Sequence, residues 1–296
     1  IPDVNSGDDT YTISGPVDFT IFDTGGIDTI DFSTMDLDAT IDLDGVLSYI
    51  GTDEINYDDG EFYTGFIVGI YALNSPIENV NAGSGDDTIT CNEAANLINC
   101  GPGADTVQMI GVGDTVNGDA GNDLFIISNA EFASIDGGEG NDTMSWSENA
   151  AVNGQELTLT TGDAVNFENI FGTSATETIK GDANDNILKG GRGGNDILYG
   201  YEGNDNLYGH GTDDDEPNDS DYSDAKTLYG GAGNDNLYGG YGNDTLDGGT
   251  GIDTLTGGNG IDTFVIRAGD GSSLIEGANI VTDFSDGTDL IGLDNN

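Results

Sequence analysis

Basic side chains are almost absent from this chain. Five Lys and Arg face 56 Asp and Glu, for a formal charge of −51, and a surface of that sign repels nucleic acid. Histidine is as scarce. His210 is the one imidazole, so there is no HExxH zinc motif, and any Ser–His–Asp site would have to use that residue. Long hydrophobic runs are missing too. No stretch approaches the ~20 apolar residues of a membrane span, and the opening IPDVNSGDDT has neither the basic region nor the apolar run of a classical signal peptide. So large an excess of acid ordinarily points to a disordered linker or a halophile surface. Carboxylate-pair hydrolysis is not excluded by counting, since acids abound.

What is present argues against disorder. Residues 227–266 read TLYGGAGND NLYGGYGND TLDGGTGID TLTGGNGID TFVI, four tandem copies of nine residues. Apolar residues recur at Leu228, Leu237, Leu246, Leu255 and Phe264, and aspartates at Asp235, Asp244, Asp253 and Asp262. A short fixed period with one apolar residue, one acid and a glycine-rich turn is the signature of a solenoid. Three residues such as Thr245-Leu246-Asp247 form a strand whose middle side chain points inward, and the glycines allow the tight turn that follows. Two units make one coil, so residues 18 apart stack: Asp235 over Asp253, and Asp244 over Asp262. Stacked carboxylates repel unless a cation lies between them, and hard oxygen donors at flexible spacing favour calcium. The expected fold is all-β, a parallel β-roll (a β-helix or solenoid) with flanking antiparallel strands, whose folding is coupled to the metal.

The same period runs through earlier segments. Asp87, Asn96, Asp105, Asp114 and Asp123 follow at steps of nine; the first, third and fifth should line one edge, Asn96 and Asp114 the other, with the neutral Asn96 making a weaker or water-filled site. Asp142, Asn186, Asp196 and Asp205 take equivalent places, with an extra glycine at 193–194 shifting the register. GIDTIDFS (26–33) matches GNDTMSWS (140–147), and the block starting at Glu78 matches the block starting at Glu168, so one module occurs twice, the first copy 24 residues longer. The expected organisation is an N-terminal β region over 1–78, a first roll over 79–130, a linking repeat with a β insertion over 131–173, a second roll over 174–266 with an acidic loop at 211–226, and closing strands over 267–296. The acidic loop lacks EF-hand spacing and reads as solvated. Starting at Ile1, with half a repeat at 7–11, the sequence is expected to be a piece of a longer protein.

These nonapeptides, with IENVNAGSGDDTI and VTDFSDGTDLIGL, resemble RTX (hemolysin-type calcium-binding repeat) proteins, in particular the C-terminal β-roll of serralysin-like secreted proteins. The resemblance implies a right-handed roll and six-ligand calcium sites built from turn carbonyls and sixth-position aspartates of adjacent coils. Carried over, Gly83, Gly85 and Asp87 would join Cys100, Pro102 and Asp105. Gly101, Gly103 and Asp105 would join Gly118, Ala120 and Asp123. Gly231, Gly233 and Asp235 would join Gly248, Thr250 and Asp253, and Gly240, Gly242 and Asp244 would join Gly257, Asn259 and Asp262. The resemblance also implies extracellular or cell-surface localisation, reached by type I secretion. The serralysin protease module has no counterpart here, and the module is read as non-catalytic, with His210 a turn residue.

Two functional readings follow: a calcium-dependent structural element of a secreted or surface protein (surface layer, matrix or adhesin), or the secretion and folding domain of a type I-secreted hydrolase such as a serralysin-like metalloprotease. Calcium is the expected partner. Self-association through roll ends and a cell-surface polysaccharide are further partners considered. Tyr199, Tyr208, Tyr229 and Tyr238 all point outward at the ninth position; cross-strand stacking is the preferred reading, with a sugar or protein partner as the alternative. Ice binding would need a regular threonine row in the turns, and only Thr250 provides one. Cys91 and Cys100 lie half a coil apart on opposite edges, which argues against a bridge, although secretion would favour one.

Overall fold

A computed structural model describes residues 7–13, 19–23, 26–36, 38–43, 48–50, 66–72, 77–129, 131–147, 156–158, 164–210, 224–267, 270, 278–285 and 287–294. Among these residues every regular element is a β-strand. The chain forms two compact units, residues 1–147 with 162–167, and residues 148–161 with 168–296.

In the first unit, successive strands alternate between two parallel ladders. One ladder contains Asn79–Asn81, Leu97–Asn99, Thr115–Asn117 and Ser134–Asp136; the other contains Thr88–Thr90, Thr106–Ile110, Leu124–Ile127 and Thr143–Trp146. Thr106 lies beside Thr88 and Leu124 beside Thr106, which is the expected advance of 18 residues per coil. The longer coil keeps the register: Thr29 pairs with Asn79, and Thr40 with Thr88. The 33–77 segment supplies the flanking antiparallel strands, with Ser48–Ile50 antiparallel to both Ala39–Asp42 and Phe66–Ala72. Tyr57, Phe62 and Tyr63 lie outside the described residues.

The second unit repeats the design. Thr178–Lys180, Ile197–Glu202, Thr227–Ala232, Thr245–Thr250 and Thr263–Arg267 form one ladder; Asn169–Phe171, Ile187–Lys189, Asn206–Tyr208, Asn236–Tyr241 and Thr254–Asn259 form the other. The closing segment joins as further parallel rungs, Ile280–Val281 beside Thr254 and Leu255, and Leu290–Asp294 beside Thr263–Arg267. Ile280, Leu290 and Leu293 stay more than half exposed there.

The core is a single file of side chains from each ladder. Ile89, Val107, Phe125 and Met144 are completely buried in the first unit, and Leu228, Leu246 and Phe264 in the second, opposite Leu207, Leu237 and Leu255. Three-residue strands such as Thr88–Thr90 and Thr115–Asn117 bury only their middle residue, as a pleat requires. Each such side chain contributes about 1.5–3 kcal/mol, so the core is thin and the turns matter to stability. The tyrosines stack on the outer faces: Tyr199 on Tyr229 and Tyr208 on Tyr238, both at 4.9 Å between ring centroids and with nearly parallel rings. Cys91 and Cys100 are both buried free thiols.

Glycine at the fourth turn position is a steric requirement of stacking. Gly251 has φ +139°, and a Cβ there would collide with the carbonyl oxygen of Gly233 one rung below. Gly251→Ala should therefore cost about 1–3 kcal/mol, seen as a lower midpoint in thermal or denaturant unfolding in calcium. Gly7→Ala, where a Cβ meets nothing within 4 Å, should leave that midpoint unchanged. Equal midpoints for the two variants would contradict this account of the turn.

Candidate metal centre

Each GGxGxD turn folds its aspartate back over its own first glycine. An ideal Cβ on Gly239 would lie 2.5 Å from Asp244 Oδ2 and 2.6 Å from Gly257 O of the next rung. Only glycine leaves that space for the two oxygens to converge. The other carboxylate oxygen is tied down by the neighbouring rung. Asp87 N–H donates to Asp105 Oδ1 at 2.6 Å, Asp105 N–H to Asp123 Oδ1 at 2.8 Å, Asp205 N–H to Asp235 Oδ1 at 2.8 Å, Asp235 N–H to Asp253 Oδ1 at 3.0 Å and Asp244 N–H to Asp262 Oδ1 at 2.9 Å. Fifth-position residues bond the opposite way along the stack: Asn234 N–H donates to Asn204 Oδ1, and Ile252 N–H to Asn234 Oδ1. Sequence reasoning passed over this second ladder, although the recurring Asn-Asp pairs announce it.

The Oδ2 atoms of Asp105, Asp123, Asp205, Asp235, Asp244 and Asp253 are buried and have no hydrogen-bond partner. A buried carboxylate oxygen without a donor is costly, and its recurrence at these six aspartates calls for a cation. Burial pushes Asp105, Asp205 and Asp244 up to about 7, and Asp123 and Asp235 up to about 6, against a pull down from the backbone N–H each accepts. Stacked acids add to the push, Asp253 on Asp235 and Asp262 on Asp244. Among the described residues no three His, Cys, Asp or Glu side chains converge on one point. Backbone carbonyls must therefore complete any coordination sphere, and all-oxygen donors of that kind suit calcium.

The predicted residues fall into two groups. Asp87, Asp105, Asp123 and Asp142 stack along one edge of the first unit. The turn positions that carry the proposed carbonyls stack with them: Pro102 bridges to Ala120, and the carbonyls of Ala120, Thr250 and Asn259 accept the N–H groups of Gly103, Gly233 and Gly242. In the second unit Asp205, Asp235 and Asp253 share one edge, and Asp244 and Asp262 the other. The second group is closed without a cation, and so is Asp87, whose Oδ2 accepts Gly83 N–H at 3.1 Å and whose Oδ1 accepts Ala39 N–H at 2.6 Å. Asp114 Oδ2 accepts Gly111 N–H at 2.8 Å, and Asn96 donates from Nδ2 to Glu78 O at 3.0 Å. Asn186 likewise donates from Nδ2 to Glu168 O and Asp182 Oδ1. Burial raises the Cys91 and Cys100 thiols, with Asp114 beside Cys91 and Asp105 and Asp123 beside Cys100. His210 packs edge-on against Tyr241, with ring centroids 5.9 Å apart.

One expectation needs correcting. Residues 211–223 lie outside the described residues, but Lys226, the last residue of the acidic segment, is 1 % exposed rather than solvated. It stands at a sixth position, nine before Asp235, a spacing that was open to reading from sequence.

These carboxylates set the sign of the pH response. Without a cation the folded chain holds protons that the unfolded chain, at its ordinary value of 3.8, would release. That contribution to stability is complete below about pH 4 and is lost as pH rises through about 6 to 7. In chelator, the β signal in circular dichroism should grow as pH falls from about 8 to about 5; in calcium, apparent affinity should fall over the same interval. A chelated chain with equal β content at both ends would refute the assignment.

A protein-family model, the RTX calcium-binding nonapeptide repeat (4 copies), matches residues 77–107, 134–145, 171–193, 191–215 and 227–255. These segments include Asp87, Asp105, Asp142, Asp196, Asp205, Asp235, Asp244 and Asp253. No curated protein matches the chain in sequence. Among solved structures the chain is similar to a hyperactive, Ca2+-dependent, beta-helical antifreeze protein from an Antarctic bacterium, at 16% identity over 90% of this chain and 85% of that chain, with a TM-score of 0.32. With matched repeats in both units, and with the parallel ladders and turn geometry described above, this chain carries RTX calcium-binding nonapeptide repeats folded as a parallel β-roll.

Proposed function

We propose that this chain is a calcium-switched structural module of a secreted or cell-surface bacterial protein, with a surface-layer, matrix or adhesin-like role. The observation that carries the reading is the set of buried, donorless Oδ2 atoms at Asp105, Asp123, Asp205, Asp235, Asp244 and Asp253. Bound calcium supplies the positive charge these oxygens lack. The chain supplies the rest. In the folded roll Oδ1 of each aspartate is held by the neighbouring rung, so Oδ2 is left facing the space an ion would fill. The first glycine clears the space, and adjacent rungs contribute carbonyls such as Gly257 O. With a net charge of −51 and a core one side chain deep, the chain should be unfolded at low cytosolic calcium and fold on meeting external calcium. The proposed role is structural, and no catalytic step is assigned.

Calcium titration followed by circular dichroism tests this directly. The chain should be largely unstructured in excess chelator and gain β signal cooperatively as calcium is added. Asp253→Asn, which neutralises a carboxylate between two rungs, should raise the calcium midpoint roughly tenfold or more. A chain already β-folded in excess chelator at neutral pH would defeat the proposal.

A further inference from the structure

Lys226 occupies an aspartate's place. Its backbone follows the rule for sixth positions: Lys226 N–H donates to Asp244 Oδ1 at 2.8 Å, as Asp244 N–H does to Asp262 Oδ1. Thr245 N–H in turn donates to Lys226 O. Its side chain fills the space over the first glycine of the turn. A Cβ on Gly209 would lie 2.8 Å from Lys226 Cγ and 2.5 Å from Gly239 O, where the equivalent point on Gly239 faces Asp244 Oδ2 and Gly257 O.

The ammonium then reaches the preceding rung. It donates to Asp196 Oδ2 at 2.8 Å, Gly193 O at 2.7 Å and Gly194 O at 2.6 Å. Three N–H donors thus meet three acceptors, and both Lys226 and Asp196 are at most 1 % exposed. One carboxylate and two turn carbonyls are the donor types that other rungs offer a cation. The Oδ2 of Asp196 is satisfied, whereas that of Asp105, Asp123, Asp205, Asp235, Asp244 or Asp253 has no partner.

We infer that the Lys226 ammonium is a built-in substitute for one calcium ion, closing the rung between the 190–196 turn and the turn ending at Lys226. The local sequence gives a reason. Sixteen residues separate Gly209 from Lys226, where four separate Gly239 from Asp244, so the sequence before Lys226 lacks the short GGxGxD spacing of its neighbours. A lysine stem carries positive charge across to Asp196 without that spacing. A tethered cation cannot dissociate, so in the folded roll this rung needs no calcium of its own. The inference rests on reading the remaining turns as calcium clamps.

Two measurements test it. In the calcium-loaded wild-type protein, an amine-acylating reagent with peptide mass analysis should modify Lys180 and Lys189 and spare Lys226 by tenfold or more in rate. Calcium at Asp196 would expel the ammonium, so Lys226 reacting as fast as Lys180 overturns the inference. In the second, Lys226→Asp should bind one more calcium per chain than wild type by elemental analysis, and an unchanged count in the folded variant also overturns it. If neither protein binds calcium, the clamp reading itself has failed, an outcome distinct from a calcium-loaded protein with a reactive Lys226.

Discussion

Repulsion between stacked carboxylates is the constraint on which the rest of this structure depends. Rungs in a parallel ladder repeat about every 4.8 Å, and two like charges at that separation cost roughly 3–4 kcal/mol at an effective dielectric near 20. A single inward side chain per strand offers little to set against several such pairs. Fold and counter-charge are therefore one problem. The turn that brings Oδ2 of Asp244 toward Gly257 O also lets the next coil stack, and glycine is needed at both places because a Cβ would occupy the oxygens' space in one and the previous carbonyl in the other.

The rungs solve that problem in more than one way. At Asp105, Asp123, Asp205, Asp235, Asp244 and Asp253 one carboxylate oxygen is left for a cation. At Asp114 both oxygens take backbone N–H groups. At Asn96 and Asn186 an amide replaces the charge and donates to the previous rung, and at Lys226 the sign of the charge is reversed. Turns with a donorless carboxylate oxygen and turns with every oxygen satisfied thus share one backbone pattern. Register survives insertion: Thr227 still pairs with Ile197 despite the segment between them.

Much of the architecture was legible in the residues. The period of nine, the apolar residue in the middle of each strand and the advance of 18 per coil follow from local chemistry repeated without change, so that Leu228, Leu246 and Phe264 had to share one file. The pairing of Asp235 with Asp253 and of Asp244 with Asp262 follows by the same counting. Calcium follows too, because acids repeated at that spacing need a hard cation.

Tertiary structure decided what the period alone left open. Whether a sixth-position oxygen is donorless or satisfied depends on which N–H groups lie within reach, as the contrast of Asp105 with Asp114 shows. Ser48–Ile50 pairs antiparallel with both of its neighbours, while the closing strands join in parallel, and only the neighbouring ladder dictates this. Lys226 was legible as a residue out of pattern but not as a buried cation, because its three acceptors sit 30 or more residues away in sequence. The sequence by itself determined the repeat, its inward file and its demand for positive charge. The stacking of coils determined where that charge comes from, since only neighbours distant in sequence show whether an oxygen faces an ion, an amide or an ammonium.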